Sequence, residues 1–360
     1  MAGGALFDTL PVSVNKVYFD KEKLKILVTG ATGLLGVNLV KRLVNDNHSV
    51  RILTRLKSPV WPFDGLEVER FIGDIVDGRS VRLAAEGCDV VFHAAGFVTF
   101  TPFLRHRAYS INVTGTRHVI EACQGAKVRR LVHVSSIAAI GYGQNREVVD
   151  ETVPWNFDTL KDPYHDTKRE AELSVISAAQ NSDLDAVVVN PGYLLGPWDI
   201  KPSSGRLILV AASGWLWIYP TGGISVVHVG DVVEGMIQAL RRGRAGERYA
   251  LSGENITYKE LFTKIARMAK VRSPFLPFSK VATLPLGLLG DQLGKMWPKA
   301  FSDINTPVLS SGHIHHYISS QKAQDELGYT FRPASSAISE AYQWFLQHGY
   351  IKKHKGCGGK

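Results

Sequence analysis

Leu24–Gly36, LKILVTGATGLLG, decides the reading of this chain. Leu24, Ile26, Leu27 and Val28 form a short apolar run of the kind found in parallel strands covered on both faces. The run stops at Thr29-Gly30, and two further glycines follow at three-residue spacing, Gly33 and Gly36. LLGVNLVKRLV then repeats as a helix, with Leu35, Leu39, Val40 and Leu43 on one side. Strand, glycine turn and helix together form a grip for a dinucleotide pyrophosphate. Glycine permits the tight turn and a close backbone approach, while the helix start offers free N–H groups and a positive dipole end. Gly30, Thr32, Gly33, Leu34, Leu35 and Gly36 are therefore the candidate pyrophosphate-binding residues. The spacing is GxxGxxG rather than GxGxxG, so it needs support from the rest of the chain.

Downstream, strand-like and helix-like stretches alternate, which predicts an α/β fold with a doubly wound parallel sheet. SVRILTR reads as the second strand, and no acid occurs from His48 to Phe63. An acid at this strand end would take ribose hydroxyls and repel a 2′-phosphate; here Thr54 is followed by Arg55, with Lys57 close by. Arginine pairs with phosphate through two parallel hydrogen bonds, so NADP(H) is favoured over NAD(H). LEVERFIGDI is the third strand, running to Asp74-Ile75, and an acid in that place often caps a helix. CDVVFHAAG is the fourth, and its small residues Ala94, Ala95 and Gly96 admit a cofactor at the carboxyl end. Phe97 and Phe100 offer apolar surface to the site, and a helix follows carrying Asn112. The fifth strand ends at Ser135-Ser136. Next comes a helix starting near Pro163, with Tyr164 and Lys168 four residues apart and so on one face. A free phenol titrates near 10; an adjacent ammonium favours the phenolate and makes it a usable acid/base. LDAVVVNPG is the sixth strand.

On these residues the chain resembles an extended short-chain dehydrogenase/reductase of the NAD-dependent epimerase/dehydratase family, most of all its dihydroflavonol 4-reductase-like and hopanoid-associated sugar epimerase groups. The resemblance implies that Ser136, Tyr164 and Lys168 are catalytic, with Ser136 preferred to Ser135 because the family serine lies five residues before a glycine, here Gly141. It implies that Asn112 stabilises a helix kink and a water path, and that Asp74 and Ile75 lie against the adenine. It also implies that Pro191 abuts the nicotinamide and that Tyr193 faces the substrate. Sugar 4,6-dehydratases carry Asp-Glu after the serine position; Ile137-Ala138 stands here, which argues against that chemistry. The expected activity is hydride transfer between nicotinamide and a carbonyl or alcohol. A nucleotide-sugar epimerase with retained cofactor and a non-catalytic dinucleotide-binding protein are the alternatives.

Composition fits this reading. The chain has 360 residues, of which 45% are hydrophobic and 21% charged, enough for one large domain and a smaller lobe. The division expected is an extension at 1–23, a cofactor domain at 24–197, and a substrate lobe at 198–225 and 249–333. Segments 226–248 and 334–349 should pack back on the cofactor domain, and 350–360 should be a flexible basic tail. The 198–225 insertion is rich in aromatic residues and carries Arg206, a candidate substrate contact with Phe97, Ser136 and Tyr193. Three scattered cysteines in no metal-ligand spacing suggest a reducing compartment, hence the cytoplasm. The net charge of +9 comes without a nucleic-acid motif, so a solvated basic surface is expected. Neither a secretory signal in 1–23 nor a membrane-spanning stretch is expected, and no metal; SSGHIHHY has three histidines without other ligands nearby. The assembly is left open, a homodimer included. VATLPLGLLG at 281–290 is read as core or as a wall of the substrate pocket, with contact to a membrane surface as the lesser alternative.

Overall fold

The computed structural model describes Phe19, residues 22–297 and residues 304–351. The expectations for most of 1–23 and for the basic tail lie outside the described residues. In chain order the first half contains β1 (Lys25–Thr29), α1 (Leu34–Asn45), β2 (Ser49–Thr54), β3 (Val68–Ile72), α2 (Gly78–Ala85) and β4 (Val90–His93). It continues with α3 (Arg105–Tyr109), α4 (Gly115–Gly125), β5 (Arg130–Val134), β6 (Val148–Val149), α5 (Pro163–Asn181) and β7 (Ala186–Pro191). The second half contains β8 (Tyr193–Leu195), α6 (Arg206–Ala212), β9 (Ile218–Tyr219), β10 (Gly223–His228), α7 (Val229–Arg242), β11 (Arg248–Leu251) and β12 (Glu254–Thr257). Then come α8 (Tyr258–Ala269), β13 (Leu276–Pro277), α9 (Lys280–Met296), α10 (Thr306–Ser311), β14 (His315–Ile318), α11 (Gln321–Leu327) and α12 (Ala334–Gln347).

The main sheet has seven parallel strands in the order β11-β7-β5-β4-β1-β2-β3. Its strands read as unbroken apolar runs because both faces are covered. Ile26 and Val28 point into the core shared with α1 and α7, whereas Leu27 between them joins the core under α2, α4 and α5. Val90 and Phe92 alternate with Val91 in the same way. The chain order reverses between β1 and β4, which opens a crevice at their carboxyl ends, where ligands of such sheets bind.

A second sheet, β12-β10-β14-β6 with β8 on β10, builds the other lobe. The packing differs from the expected division in several places, beginning with β6 and β8, which fall within 24–197 yet join the second sheet. Arg248–Leu251 is the edge strand of the main sheet, beside β7, although most of it was assigned to the lobe. Residues 226–228 belong to β10 of the second sheet; only α7 packs back on the main one. And α12 buries Ala337, Ile338, Ala341 and Phe345 against α6 and α8, in the lobe's core. Sequence periodicity marks a buried face without saying which sheet buries it.

Candidate active site

The crevice is made of the glycine turn, the ends of β4 and β5, and the first turn of α5. Gly30 adopts φ +70°, and a Cβ there would lie 2.5 Å from the Ala94 carbonyl, so the turn and β4 touch backbone to backbone. Gly36 is as constrained: its Cβ would meet the Gly30 carbonyl oxygen at 2.2 Å. Gly33 is different. Its nearest protein atom would be 3.5 Å away, and it heads α1 with no side-chain cap. A glycine whose missing side chain faces space, at an uncapped helix N-terminus flanked by half-exposed Thr32 and buried Leu34 and Leu35, is a cradle for a phosphate group.

Past β2, Thr54 is buried while Arg55, Leu56 and Lys57 stand exposed on a turn closed by Ser58 N donating to the Arg55 carbonyl at 2.9 Å. Arg70, from β3, holds this turn. Its Nε donates to Thr54 Oγ1 at 3.0 Å, and its Nη2 donates to the carbonyls of Arg55 and Leu56 at 3.2 and 2.8 Å. Two guanidinium-bearing residues thus stand at the strand end where an acid would exclude a 2′-phosphate. Asp74 Oδ1 accepts from Val76 N at 3.2 Å, and Asp77 rather than Asp74 caps α2. Ile75 is buried, with its carbonyl against His118 Nδ1 at 3.1 Å.

Asn112 lies in a π-helical stretch, Ser110–Thr114, between α3 and α4. Its Oδ1 accepts from Phe97 N at 2.7 Å, and its Nδ2 donates to Phe97 O at 3.0 Å and to Thr167 Oγ1 at 2.9 Å. Both amide hydrogens are spent on tying the β4 exit to α5. Phe97 lies under the Arg107 guanidinium, 4.7 Å from the ring centre.

Asp162, buried, starts α5 by accepting from the N–H groups of Tyr164 and His165 at 2.9 and 3.0 Å. Tyr164 is thereby fixed in the first turn, edge-on to Phe100 with 5.5 Å between ring centres. The Tyr164 phenol lies beside Ser136, near enough for the hydroxyl to favour its phenolate. Ser136 Oγ accepts from Ala138 N at 3.1 Å, whereas Ser135 Oγ is buried with no partner among the described residues. Lys168 Nζ donates to the Val134 carbonyl at 2.8 Å, and a Cβ on Gly96 would lie 3.8 Å from that ammonium and 3.6 Å from Asn112 Oδ1. The expected lowering of the Tyr164 pKa is not produced by the protein's own groups. Burial pushes it up, Asp162 adds to the rise, and Ser136 opposes it. The reason is the direction of Lys168, whose ammonium is turned to Val134. Burial in turn pushes the Lys168 pKa down to about 8, against the pull of Glu172.

Behind these side chains lies a network that spacing alone did not mark. Glu172, wholly buried one turn beyond Lys168, accepts from Arg248 Nη1 at 2.8 Å and from Asn190 Nδ2. Asn190 Nδ2 also donates to the Ser136 carbonyl at 3.0 Å. The i, i+4, i+8 series Tyr164–Lys168–Glu172 was the available signal. Pro191 ends β7, buried beside Leu251. Tyr193 OH donates to the Ser204 carbonyl at 2.7 Å, and exposed Arg206 opens α6. The three histidines of 313–316 are committed to separate contacts. His313 bonds Thr221 and Thr283, His316 packs on Phe157, and His315 lies edge-on to Tyr317.

Residues 26–252 match the NAD dependent epimerase/dehydratase family. The chain belongs to that family. Among its relatives, "Sterol demethylase protein B" of Methylococcus capsulatus is 34% identical over 330 residues, 90% of this chain and 99% of that protein. A putative dihydroflavonol 4-reductase of Synechocystis is 31% identical over 344 residues, 90% of this chain and 95% of that one. The crystal structure of gox2253 is 34% identical, with a TM-score of 0.80, and covers 91% of this chain and 99% of its own. The family match spans every strand of the seven-stranded sheet up to the Leu251 end of β11, so it includes the whole crevice just described.

Proposed function

We propose that this chain is an NADP(H)-dependent oxidoreductase acting on a carbonyl or alcohol, in the manner of the dihydroflavonol reductases. The observation that carries the proposal is the meeting of Ser136, Tyr164 and Lys168 at a crevice whose other wall is an uncapped, glycine-lined helix start: the phenol lies beside Ser136, and Lys168 Nζ reaches the Val134 carbonyl two residues before it at 2.8 Å. The protein's residues fit a dinucleotide. Gly33 leaves room for a pyrophosphate, and the exposed Arg55 and Lys57 stand ready for a 2′-phosphate. The nicotinamide, when bound, supplies or takes the hydride. The chain supplies the proton and the geometry. Tyr164 gives its phenolic proton to the substrate oxygen, and Ser136 holds that oxygen by a hydrogen bond. Lys168 places a positive charge beside Gly96, in the crevice, where its ammonium is positioned to hold the nicotinamide ribose when the cofactor is bound. Asn112 fixes the distance between the β4 exit and α5, so its part is positioning. Phe97 and Phe100 provide apolar walls that suit a ring-bearing or aliphatic carbonyl. Tyr193 and Arg206, further along the lobe, are the substrate contacts proposed from that side.

The test is NADPH consumption against a panel of aldehydes and ketones. We expect stoichiometric loss of NADPH absorbance and at least a ~100-fold lower turnover for Tyr164→Phe, the size of a general-acid contribution. Cofactor affinity should hold in that variant. Near-normal turnover by Tyr164→Phe would sink the mechanism. Tightly retained NAD with interconversion of sugar epimers would replace the reductase by an epimerase.

A further inference from the structure

Helix α9 is built inside out. Its inward face is Thr283, Gly287, Gly290 and Gly294, all buried. A Cβ on Gly287 would sit 2.7 Å from Thr306 Cα, so the glycines let the helix lie close on the start of α10 and the residues just before it. Asp291 is tied to that segment by accepting from Thr306 Oγ1 at 2.7 Å. Every large apolar residue of α9 except half-buried Leu293 is exposed. Val281 is 86% exposed, and Leu284, Leu286, Leu288, Leu289, Met296 and Trp297 are exposed with it. This corrects the reading of 281–290 as core or pocket wall: the glycines make the contact and the leucines face solvent. An ordinary surface helix does the opposite.

The exposed face continues off the helix. Trp217 O accepts from both Phe275 N and Leu276 N at 3.0 Å, and β13 pairs with β9 and runs directly into the first turn of α9. Trp215, 82% exposed, and Trp217, Ile218, Phe275 and Leu276 therefore extend the same apolar surface. Its charges are of one sign. Between Arg267 and Trp297 the chain has five cations, Arg267, Lys270, Arg272, Lys280 and Lys295, and a single acid, the inward-tied Asp291. Arg272 stacks over Phe275 at 4.4 Å, and Lys280 stands at the head of α9.

We infer that this surface docks on an anionic lipid bilayer, with α9 lying in the plane of the interface. Leucine, valine and tryptophan side chains enter the headgroup boundary, while the lysines and arginines around them meet anionic headgroups. No helix among the described residues is long and apolar enough to cross a membrane, so the contact is peripheral. The charges decide against a second copy of the chain as the occupant, because a twofold contact would set this cationic surface against itself. They equally favour an anionic occupant, and the apolar width of a 17-residue helix suits a continuous lipid surface.

The experiment is flotation of the purified full-length protein with phosphatidylcholine vesicles, with and without phosphatidylglycerol. We expect at least about tenfold more protein on the anionic vesicles, declining as salt is raised. Tryptophan emission should shift to the blue on binding. The double substitution Leu284→Gln, Leu288→Gln and, separately, Trp217→Ser should each cut binding about tenfold at an unchanged melting temperature. Protein left unbound by both vesicle types overturns the inference, as does binding indifferent to these substitutions. A concentration-dependent dimer abolished by the same substitutions, without vesicle binding, would give the surface to a second copy instead.

Discussion

Helices α5 and α9 are of similar length, 19 and 17 residues, and both break the rule that a surface helix hides its apolar residues. They break it in opposite senses. The first, α5, buries charge: Lys168 and Glu172 face inward, with Asp162 capping the helix. By contrast, α9 exposes hydrocarbon and buries glycine. A buried charge is tolerable only where partners are fixed, and on α5 both have them: Val134 for Lys168, and Arg248 and Asn190 for Glu172. Exposed hydrocarbon needs no partner inside the protein, so α9 is free to meet something outside it. Departures from the ordinary pattern mark the two surfaces to which we give functions, and the sign of the departure tells a polar pocket from a docking face.

Removing a charge partner from α5 should have the largest effect. Glu172→Ala removes the buried acid that pairs with Arg248 and leaves that guanidinium only the Glu151 carbonyl, and we expect a loss of about 3 kcal/mol in urea unfolding. A loss below ~1 kcal/mol would mean that the network is not holding the core.

The Lys168 charge should appear in the pH dependence of kcat/KM. Its pKa is pushed down to about 8, so the ammonium is largely present at neutral pH and is lost as pH rises. Activity should fall about tenfold per unit above that value. Stability moves the other way. Between about 8 and the unfolded value near 10.4 the unfolded chain holds the extra proton, so Lys168 favours the folded state more as pH increases. A flat profile from pH 7 to 10 would show that the ammonium is dispensable.

Arg70→Ala should release the Arg55–Leu56 turn. Charge-assisted hydrogen bonds of this kind account for roughly 1.5 kcal/mol, about tenfold in affinity. The loss should fall on NADPH, with NADH binding little changed, as read by isothermal titration of both cofactors. Equal losses for the two would assign Arg70 a merely structural part.

The smallest effect is expected on α9. Leu284→Gln and Leu288→Gln replace exposed side chains, and each should change unfolding free energy by less than about 0.5 kcal/mol. A loss of several kcal/mol in thermal or urea unfolding would place this face in contact with the protein itself and erase the contrast with α5.

Sequence alone determined the cofactor half. Strand–turn–helix from Leu24 to Asn45 is a local pattern, and a run of apolar residues between turn signals can only be a doubly covered strand or a buried helix, which length separates. That Tyr164 and Lys168 stand on one helix, a turn apart, was legible because helical spacing is rigid. Long-range choices belonged to the tertiary structure. It decided that Ser136 meets Tyr164 while Ser135 turns into the core, since adjacent residues leaving a strand point to opposite sides. It brought Arg70 across from the neighbouring strand to Thr54, and Arg248 to Glu172, contacts between residues 16 and 76 positions apart that no local pattern encodes. It joined β11 to the main sheet and α12 to the other lobe. And it turned α9 over: periodicity shows that a helix has two unlike faces, but only the packed neighbours decide which one is covered, and here close approach to the start of α10 and the residues just before it demanded the face without side chains.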